Sequence, residues 1–268
     1  MDLKGKRVVV TGGSSGIGLA LARAMLARGA RVAIVGRRKV ELDRAVAELK
    51  MLGANIVAVA ADITRGPDRQ RVLACAEAKF DGVDILVNNA GAVRAGRLET
   101  IAESEIRAMV EVNLLAPILL TREALPHLRK CGHGLIVNVT SAAALTGVPF
   151  YGTYAATKAG LARFGEALRR ELKGEGMHVL TVYPVATDTP MMATSRAGED
   201  LGFGRESAID VAAAIVEGIQ ADSLEVVRGG DARAKLIGLN RENPLALDER
   251  FFAIKAELEA ATREHKAL

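Results

Sequence analysis

Thr11-Gly12-Gly13-Ser14-Ser15-Gly16-Ile17-Gly18 lies between an apolar run, Lys6 to Val10, and an Ala/Leu-rich run, Ile17 to Arg28. The three segments read as strand, glycine turn and helix. Gly12, Gly16 and Gly18 let the backbone approach a ligand closely. The first free N–H groups of the helix then face that ligand, which suits a pyrophosphate. The spacing Gly12-x3-Gly16-x-Gly18 departs from the G-x-G-x-x-G dinucleotide fingerprint. Alone, the stretch is equally a tight turn that binds nothing, so the rest of the chain decides its meaning.

The same alternation continues downstream. The helix from Ile17 stops at Gly29, and Arg31 to Val35 forms a second apolar strand. Val40 to Leu52 has helical spacing, and Ile56 to Ala60 is a third strand. Pro67 to Phe80 (helix), Ile85 to Val87 (strand), Glu103 to Arg129 (one long helix around Pro117) and Leu135 to Val139 (strand) follow. Tyr154 to Lys173 (helix), Val179 to Tyr183 (strand), Asp210 to Gln220 (helix) and Leu224 to Val227 (strand) close the series. Strands this short and continuously apolar suit a parallel sheet buried on both faces. The expected architecture is a doubly wound α/β domain of about seven strands with helices on both faces. No linker or repeat divides it, and the irregular Pro184 to Glu206, following a strand, reads as a lid.

With 50% hydrophobic and 25% charged residues among 268, the chain can build a sizeable core. No apolar run reaches the ~18 residues of a membrane span, and Met1 to Lys6 lacks a signal-peptide pattern, so a cytoplasmic protein is expected. Cys75 and Cys131 are too few for a disulfide framework. His127-x3-Cys131-x-His133 lacks the partners that would complete a zinc spacing, so no metal is expected. The net charge of +4 is scattered and aromatics are only 3%, which argues against nucleic-acid binding.

In a doubly wound sheet ligands bind beyond the carboxyl ends of the strands, so those ends carry the chemistry. After strand two stand Arg37 and Arg38, with no carboxylate for a ribose 2′-hydroxyl. Their planar guanidiniums suit a 2′-phosphate, favouring NADP, with NAD possible. Asp62 and Ile63 follow strand three, where Asp62 could meet an adenine amino group; Asn88-Asn89-Ala90-Gly91 follow strand four, where small residues permit close approach. Ser141 follows strand five, and Tyr154 and Lys158 stand one turn apart on one helical face.

With these residues in order, the chain resembles a short-chain dehydrogenase/reductase over about Lys4 to Gly230. The matching motifs are T-G-x3-G-x-G at Thr11 to Gly18, N-N-A-G at Asn88 to Gly91, the asparagine at Asn113, the serine at Ser141 and Y-x3-K at Tyr154 and Lys158. The resemblance implies a Rossmann-like fold, a nicotinamide cofactor and hydride transfer to or from a carbonyl or alcohol carbon. It implies a cofactor site of Thr11, Gly12, Ser14, Ser15, Gly16, Ile17, Gly18, Arg37, Arg38, Asp62, Ile63, Asn89, Ala90, Gly91, Tyr154, Lys158, Pro184 and Thr189, and a catalytic set of Asn113, Ser141, Tyr154 and Lys158. Asn113 would hold a water linking Lys158 to solvent. Free tyrosine, with a pKa near ~10, titrates too high to be useful at neutral pH. Lys158, with an oxidised nicotinamide, would lower the Tyr154 pKa, making it general acid in reduction and general base in oxidation. Ser141 would hydrogen-bond the substrate oxygen.

There are departures from the pattern. Pro184-Val185 stands where the family commonly has Pro-Gly, and Ser15 is not the second basic residue that NADP users often carry in the glycine turn. The expected substrate wall comprises Val93, Arg94, Ala95, Ala142, Ala143, Leu145, Phe150, Tyr151, Val185, Met191 and Met192. It is mostly apolar, with Arg94 a candidate for holding an anion. Residues 231–268 read as an extension holding an amphipathic helix within Pro244 to Leu268, packed on residues 1–230 or on a neighbouring subunit. A homodimer or homotetramer follows from the resemblance. The leading expectation is an NADP-preferring oxidoreductase acting on a carbonyl or secondary alcohol of a small, largely apolar substrate; the alternative is a non-catalytic NADP-binding redox sensor.

Overall fold

The computed structural model describes residues 1–53 and 55–268. In chain order the elements are β1 (Arg7–Thr11), α1 (Gly16–Leu26), β2 (Arg31–Gly36), α2 (Lys39–Leu49), β3 (Ile56–Ala60), α3 (Gly66–Phe80), β4 (Ile85–Asn88), β5 (Val93–Arg94), α4 (Glu103–Val110), α5 (Ala116–Lys130) and β6 (Gly134–Val139). They continue with α6 (Gly152–Glu171), β7 (Met177–Tyr183), β8 (Thr187–Asp188), β9 (Glu206–Ser207), α7 (Ala208–Gln220), β10 (Glu225–Val227), α8 (Gly230–Glu242), α9 (Pro244–Ala253), α10 (Lys255–Thr262) and β11 (Lys266–Ala267).

Seven strands form one parallel sheet in the order β10-β7-β6-β4-β1-β2-β3. The doubly wound α/β fold, Rossmann-like as expected, follows from strands that must bury both faces. Val8 and Val10 of β1 point into a core shared with Leu21 and Met25 of α1 and Ile215 of α7. Val9, between them, points into a second core with Val72 of α3, Leu120 of α5 and Leu168 of α6. Each such aliphatic contributes about 1.5–3 kcal/mol, so a one-residue register slip is opposed on both faces at once. The strand order reverses at β1 and β4, opening a crevice beyond their carboxyl ends, where the glycine turn and Asn88 to Gly91 lie.

Three details differ from the periodicity. The helix expected over Glu103 to Arg129 is interrupted by a π turn at Glu111–Leu115, and α5 restarts with Pro117 in its first turn, where a missing N–H costs nothing. The lid segment holds a short parallel pair, Thr187↔Glu206 and Asp188↔Ser207. The segment after Gly229 contains α8, α9 and α10 rather than one amphipathic helix, and Leu247 and Leu258 are its buried anchors, whereas Phe252 is exposed. Its last residues form β11, antiparallel to β5 with Lys266 opposite Arg94.

Candidate active site

Left-handed backbone at Gly12 and Gly16 (φ 66° and 53°) shapes the turn after β1. A Cβ on Gly12 would stand 2.9 Å from Asn89 Nδ2, one on Gly16 2.9 Å from Thr189 Cγ2, and one on Gly18 would overlap the Gly12 carbonyl oxygen. The turn is therefore held against β4 and the lid with room only for hydrogen. Thr11 Oγ1 donates to Val87 O (3.1 Å) and accepts from Asn89 N (2.9 Å) and Ala90 N (3.1 Å). Asn89 Nδ2 donates back to Thr11 O (2.9 Å). Thr11 and the Asn89 amide thus fasten the two loops together, and the Thr11 hydroxyl is spent on that bond network.

Beyond this cradle opens a cavity of about 240 Å³. From the expected cofactor set it is lined by Gly12, Ser15, Gly16, Ile17, Asn89, Ala90, Gly91, Tyr154, Lys158, Pro184 and Thr189. From the expected substrate set come Val93, Ser141, Ala142, Ala143, Tyr151, Val185, Met191 and Met192. The cradle and the lysine beside it fit a bound dinucleotide, because small residues clear the path of its backbone contacts and a cation stands at its inner end.

Some expected residues lie elsewhere. Thr11, Ser14, Gly18, Arg37, Arg38, Asp62 and Ile63 do not line the cavity. Arg37 and Arg38 are exposed at the end of β2, and Arg37 Nη2 donates to Leu268 O (3.2 Å). Asp62 Oδ1 accepts from Thr64 N (3.0 Å) and Thr64 Oγ1 (2.8 Å), and the Ile63 side chain is buried in the core under α3. Arg94, Ala95, Leu145 and Phe150 are also outside it. Arg94 is no free anion holder, since it pairs with Glu105 (3.4 Å) and donates to Arg263 O (2.9 Å) and to Ala95 O.

Ser141 ends the run after β6 in extended backbone, with its Oγ accepting from Ala143 N (3.2 Å). Tyr154 and Lys158 project from the first turns of α6, with Lys158 Nζ 6.0 Å from the Tyr154 ring centroid. Lys158 is 3% exposed and donates to Val139 O (3.0 Å); among the described residues no carboxylate pairs with it. Burial lowers its pKa to about 8. Burial also raises the Tyr154 pKa, against a smaller lowering from the Ser141 hydrogen bond. The expected lowering by Lys158 does not appear in the protein alone: burial dominates, Ser141 is the one group that opposes it, and Tyr154 stays a protonated phenol, the form needed to give a proton.

The π turn explains where Asn113 points. It is fully buried; its Oδ1 accepts from Ala92 N (2.7 Å) and its Nδ2 donates to Ala92 O (2.8 Å) and Thr157 Oγ1 (3.1 Å). A Cβ on Gly91 would meet Asn113 Oδ1 at 3.3 Å and Lys158 Nζ at 3.4 Å, so both groups converge on that glycine. Both Nδ2 hydrogens of Asn113 are committed, and Oδ1 keeps one acceptor lone pair.

Nine lining residues lie outside the expected sets: Val139, Thr140, Val148, Ala186, Thr187, Pro190, Phe203, Arg233 and His265. His265 is 1% exposed and joins the two walls. Met191 O can only accept, so His265 Nε2–H donates to it (3.0 Å) and Nδ1 accepts from the Tyr151 hydroxyl (2.8 Å). Burial lowers the His265 pKa and pushes that of Tyr151 up to about 12, so both are neutral near pH 7. The β5–β11 pairing, Lys266 Nζ to Glu105 (2.5 Å) and the bidentate Arg97–Glu259 pair (2.6 and 2.7 Å) hold this end in place. His265→Ala is expected to raise KM about tenfold with a smaller fall in kcat, as it loosens the lid without touching the reacting groups; steady-state kinetics with a fall in kcat at constant KM would contradict this.

A family model described as short chain dehydrogenase matches residues 6–200. The chain belongs to the short-chain dehydrogenases. This dehydrogenase is 33% identical over 226 residues to a ketoacyl reductase, HetN, of Nostoc sp., covering 84% of this chain and 79% of the relative. It is 36% identical over 190 residues to nodulation protein G of Rhizobium sp., covering 71% and 76% of the two chains. It is 38% identical to 11-beta-hydroxysteroid dehydrogenase 1A of Arabidopsis thaliana over 68% of its own length, spanning 52% of that relative. A 3-ketoacyl-(acyl-carrier-protein) reductase from Brucella melitensis, solved with NADH, superposes with a TM-score of 0.79 at 32% identity, over 85% of this chain and 98% of that one. Membership makes this protein an oxidoreductase that uses a nicotinamide cofactor. No helix among the described residues is long and apolar enough to cross a membrane.

Proposed function

We propose that this dehydrogenase is an NADP-preferring carbonyl reductase or secondary-alcohol dehydrogenase in which Tyr154 is the general acid and base. The observation that carries the reading is that Ser141, Tyr154 and Lys158 line one cavity with the glycine turn. Residues 1–230 act as the cofactor-binding and catalytic unit, and 231–268 cover the substrate side. When bound, the reduced nicotinamide supplies the hydride. Ser141 Oγ–H and Tyr154 Oη–H donate to the substrate carbonyl oxygen, polarising it. As that oxygen becomes an alkoxide, the Tyr154 proton passes to it, giving the alcohol and leaving a phenolate. The Lys158 ammonium stabilises the phenolate and holds the cofactor ribose; it also supports the return of a proton from solvent past Asn113. In the oxidative direction the same groups act in reverse.

The preference for NADP rests on Arg37 and Arg38, which stand at the end of β2 with no carboxylate in the Gly36-Arg37-Arg38-Lys39 run. Arg37→Ala is expected to lower the NADP-to-NAD affinity ratio by about ten- to a hundredfold, the worth of a charge-assisted contact. Titration with NADPH and NADH, read by the fluorescence of the reduced cofactor, measures it; an unchanged ratio contradicts the assignment. A homodimer or homotetramer is proposed from family resemblance, with light scattering as the test of assembly. Activity is tested by following oxidation of NADPH with ketones, aldehydes and quinones.

A further inference from the structure

Several arginines in the segments that border the cavity are matched by carboxylates. Arg94 pairs with Glu105, Arg97 with Glu259, Arg205 with Asp188 and Arg228 with Glu206. Arg233 differs from these. It lines the cavity, yet among the described residues its guanidinium has no ion pair or hydrogen bond, and desolvation is the sole influence on its charge, lowering its pKa. Its place is defined by tight packing: a Cβ on Gly229 would lie 2.9 Å from Arg233 Cβ and 2.8 Å from Val185 Cγ1. Arg233 and Val185 therefore flank Gly229, and Val185 follows the Pro184 that borders the Ser141 loop through Ala142 N to Pro184 O (2.7 Å).

Nothing in the fold calls for a cation there. Arg233 N makes the opening hydrogen bond of α8 to Gly229 O (3.3 Å), so the residue lies at the helix N-terminus, where a positive charge opposes the macrodipole. A half-buried guanidinium without a partner loses hydration and gains no ion pair. The other polar groups of the substrate side, Tyr151 and His265, are bonded to each other, and Lys158 stands at the cofactor end. The remaining wall is apolar: Val93, Ala143, Val185, Met191 and Phe203.

We propose that Arg233 is an anion-binding residue of the substrate pocket, so that the preferred substrate is a carbonyl compound or alcohol bearing a carboxylate or phosphate away from the reacting carbon. This narrows the expectation of a largely apolar substrate and rests on the reductase reading given above. Guanidinium suits such a group because its fork can donate two parallel hydrogen bonds to one carboxylate.

The test compares keto acids of increasing length (acetoacetate, levulinate and oxohexanoate) with their methyl esters, in the wild type and in Arg233→Gln and Arg233→Lys. Binding is read by calorimetry on protein saturated with NADP, and turnover by NADPH oxidation. In the wild type one acid is expected to exceed its ester by about ten- to a hundredfold in affinity and in kcat/KM. Arg233→Gln should bring that ratio close to one, and Arg233→Lys, which keeps the charge and loses the fork, should fall between. Equal acid and ester in the wild type, or a ratio that Arg233→Gln leaves unchanged, overturns the proposal. So does a loss of NADP affinity in Arg233→Gln with the ratio intact, which would place the anion on the cofactor. Arg233-dependent binding of an acid with no reduction of any ketone would uphold the subsite and refute the reductase.

Discussion

Tyr154→Phe is expected to lower kcat for carbonyl reduction by about a thousandfold or more while leaving cofactor affinity within about twofold. The variant removes one oxygen from a half-buried ring. Its packing against Tyr151, edge-on with centroids 6.3 Å apart, involves the rings rather than the hydroxyl. The fold and the cradle at Gly12 to Gly18 are therefore expected to persist. What disappears is the proton for the developing alkoxide, and Ser141 cannot replace it, because a hydroxyl without a stabilised anion is a poor acid. The measurement is a paired one: cofactor titration by fluorescence and steady-state reduction of the same ketone. Retained turnover would mean that the proton comes from another group.

Lys158→Met should produce opposite effects on stability and activity. Turnover should fall about a thousandfold and cofactor affinity should weaken, because a buried cation is removed from the site. The folded protein, however, should become more stable. Lys158 is 3% exposed with a backbone carbonyl as its recorded partner, and burial takes its pKa from 10.5 to about 8. At ~1.4 kcal/mol per pKa unit, the buried ammonium costs about 3 kcal/mol below pH 8. The depressed pKa means that the unfolded chain holds the extra proton between about pH 8 and 10.5, so wild-type stability from this group rises through that window. The stability advantage of the methionine variant should thus be full near pH 7, several degrees in Tm, and shrink toward pH 10. A lower Tm at neutral pH, or a difference independent of pH, would contradict this.

The parts of the fold that were legible in the sequence are those governed by local periodicity. Val8, Val9 and Val10 announce a doubly buried strand, and the glycines after them need no tertiary knowledge to be read as a close-approach turn. Tyr154 and Lys158 were legible because a four-residue spacing on a helix sets their relative positions. The π turn at Glu111–Leu115 was not, because the apolar spacing on either side remains helical and the extra residue is needed only to aim Asn113 at Ala92, a contact between distant segments. His265 was equally hidden. Its importance comes from β11 pairing with β5 and from meeting Tyr151, 114 positions earlier. Arg233 carries no motif, and what distinguishes it from the paired arginines is that it lines the cavity without a partner among the described residues.

Ser15, Thr11 and Asp62 illustrate a further limit. All three belong to the cofactor set that the resemblance implies, yet only Ser15 lines the cavity, while the Thr11 hydroxyl is spent on bonds to β4 and the loop after it and Asp62 Oδ1 is bonded to Thr64. A strand-end position shows that a residue is near the crevice. Which of its atoms are free to meet a ligand depends on neighbours that sequence order does not reveal.

The central claim, that this cavity transfers hydride between NADP and a carbonyl carbon, is tested most directly by incubating the protein with NADPH and a panel of ketones and keto acids and quantifying both products. The account predicts that at least one compound is converted to its alcohol with one NADPH oxidised per alcohol formed. Tight NADPH binding with neither oxidation nor alcohol across the panel would contradict it and favour a redox sensor.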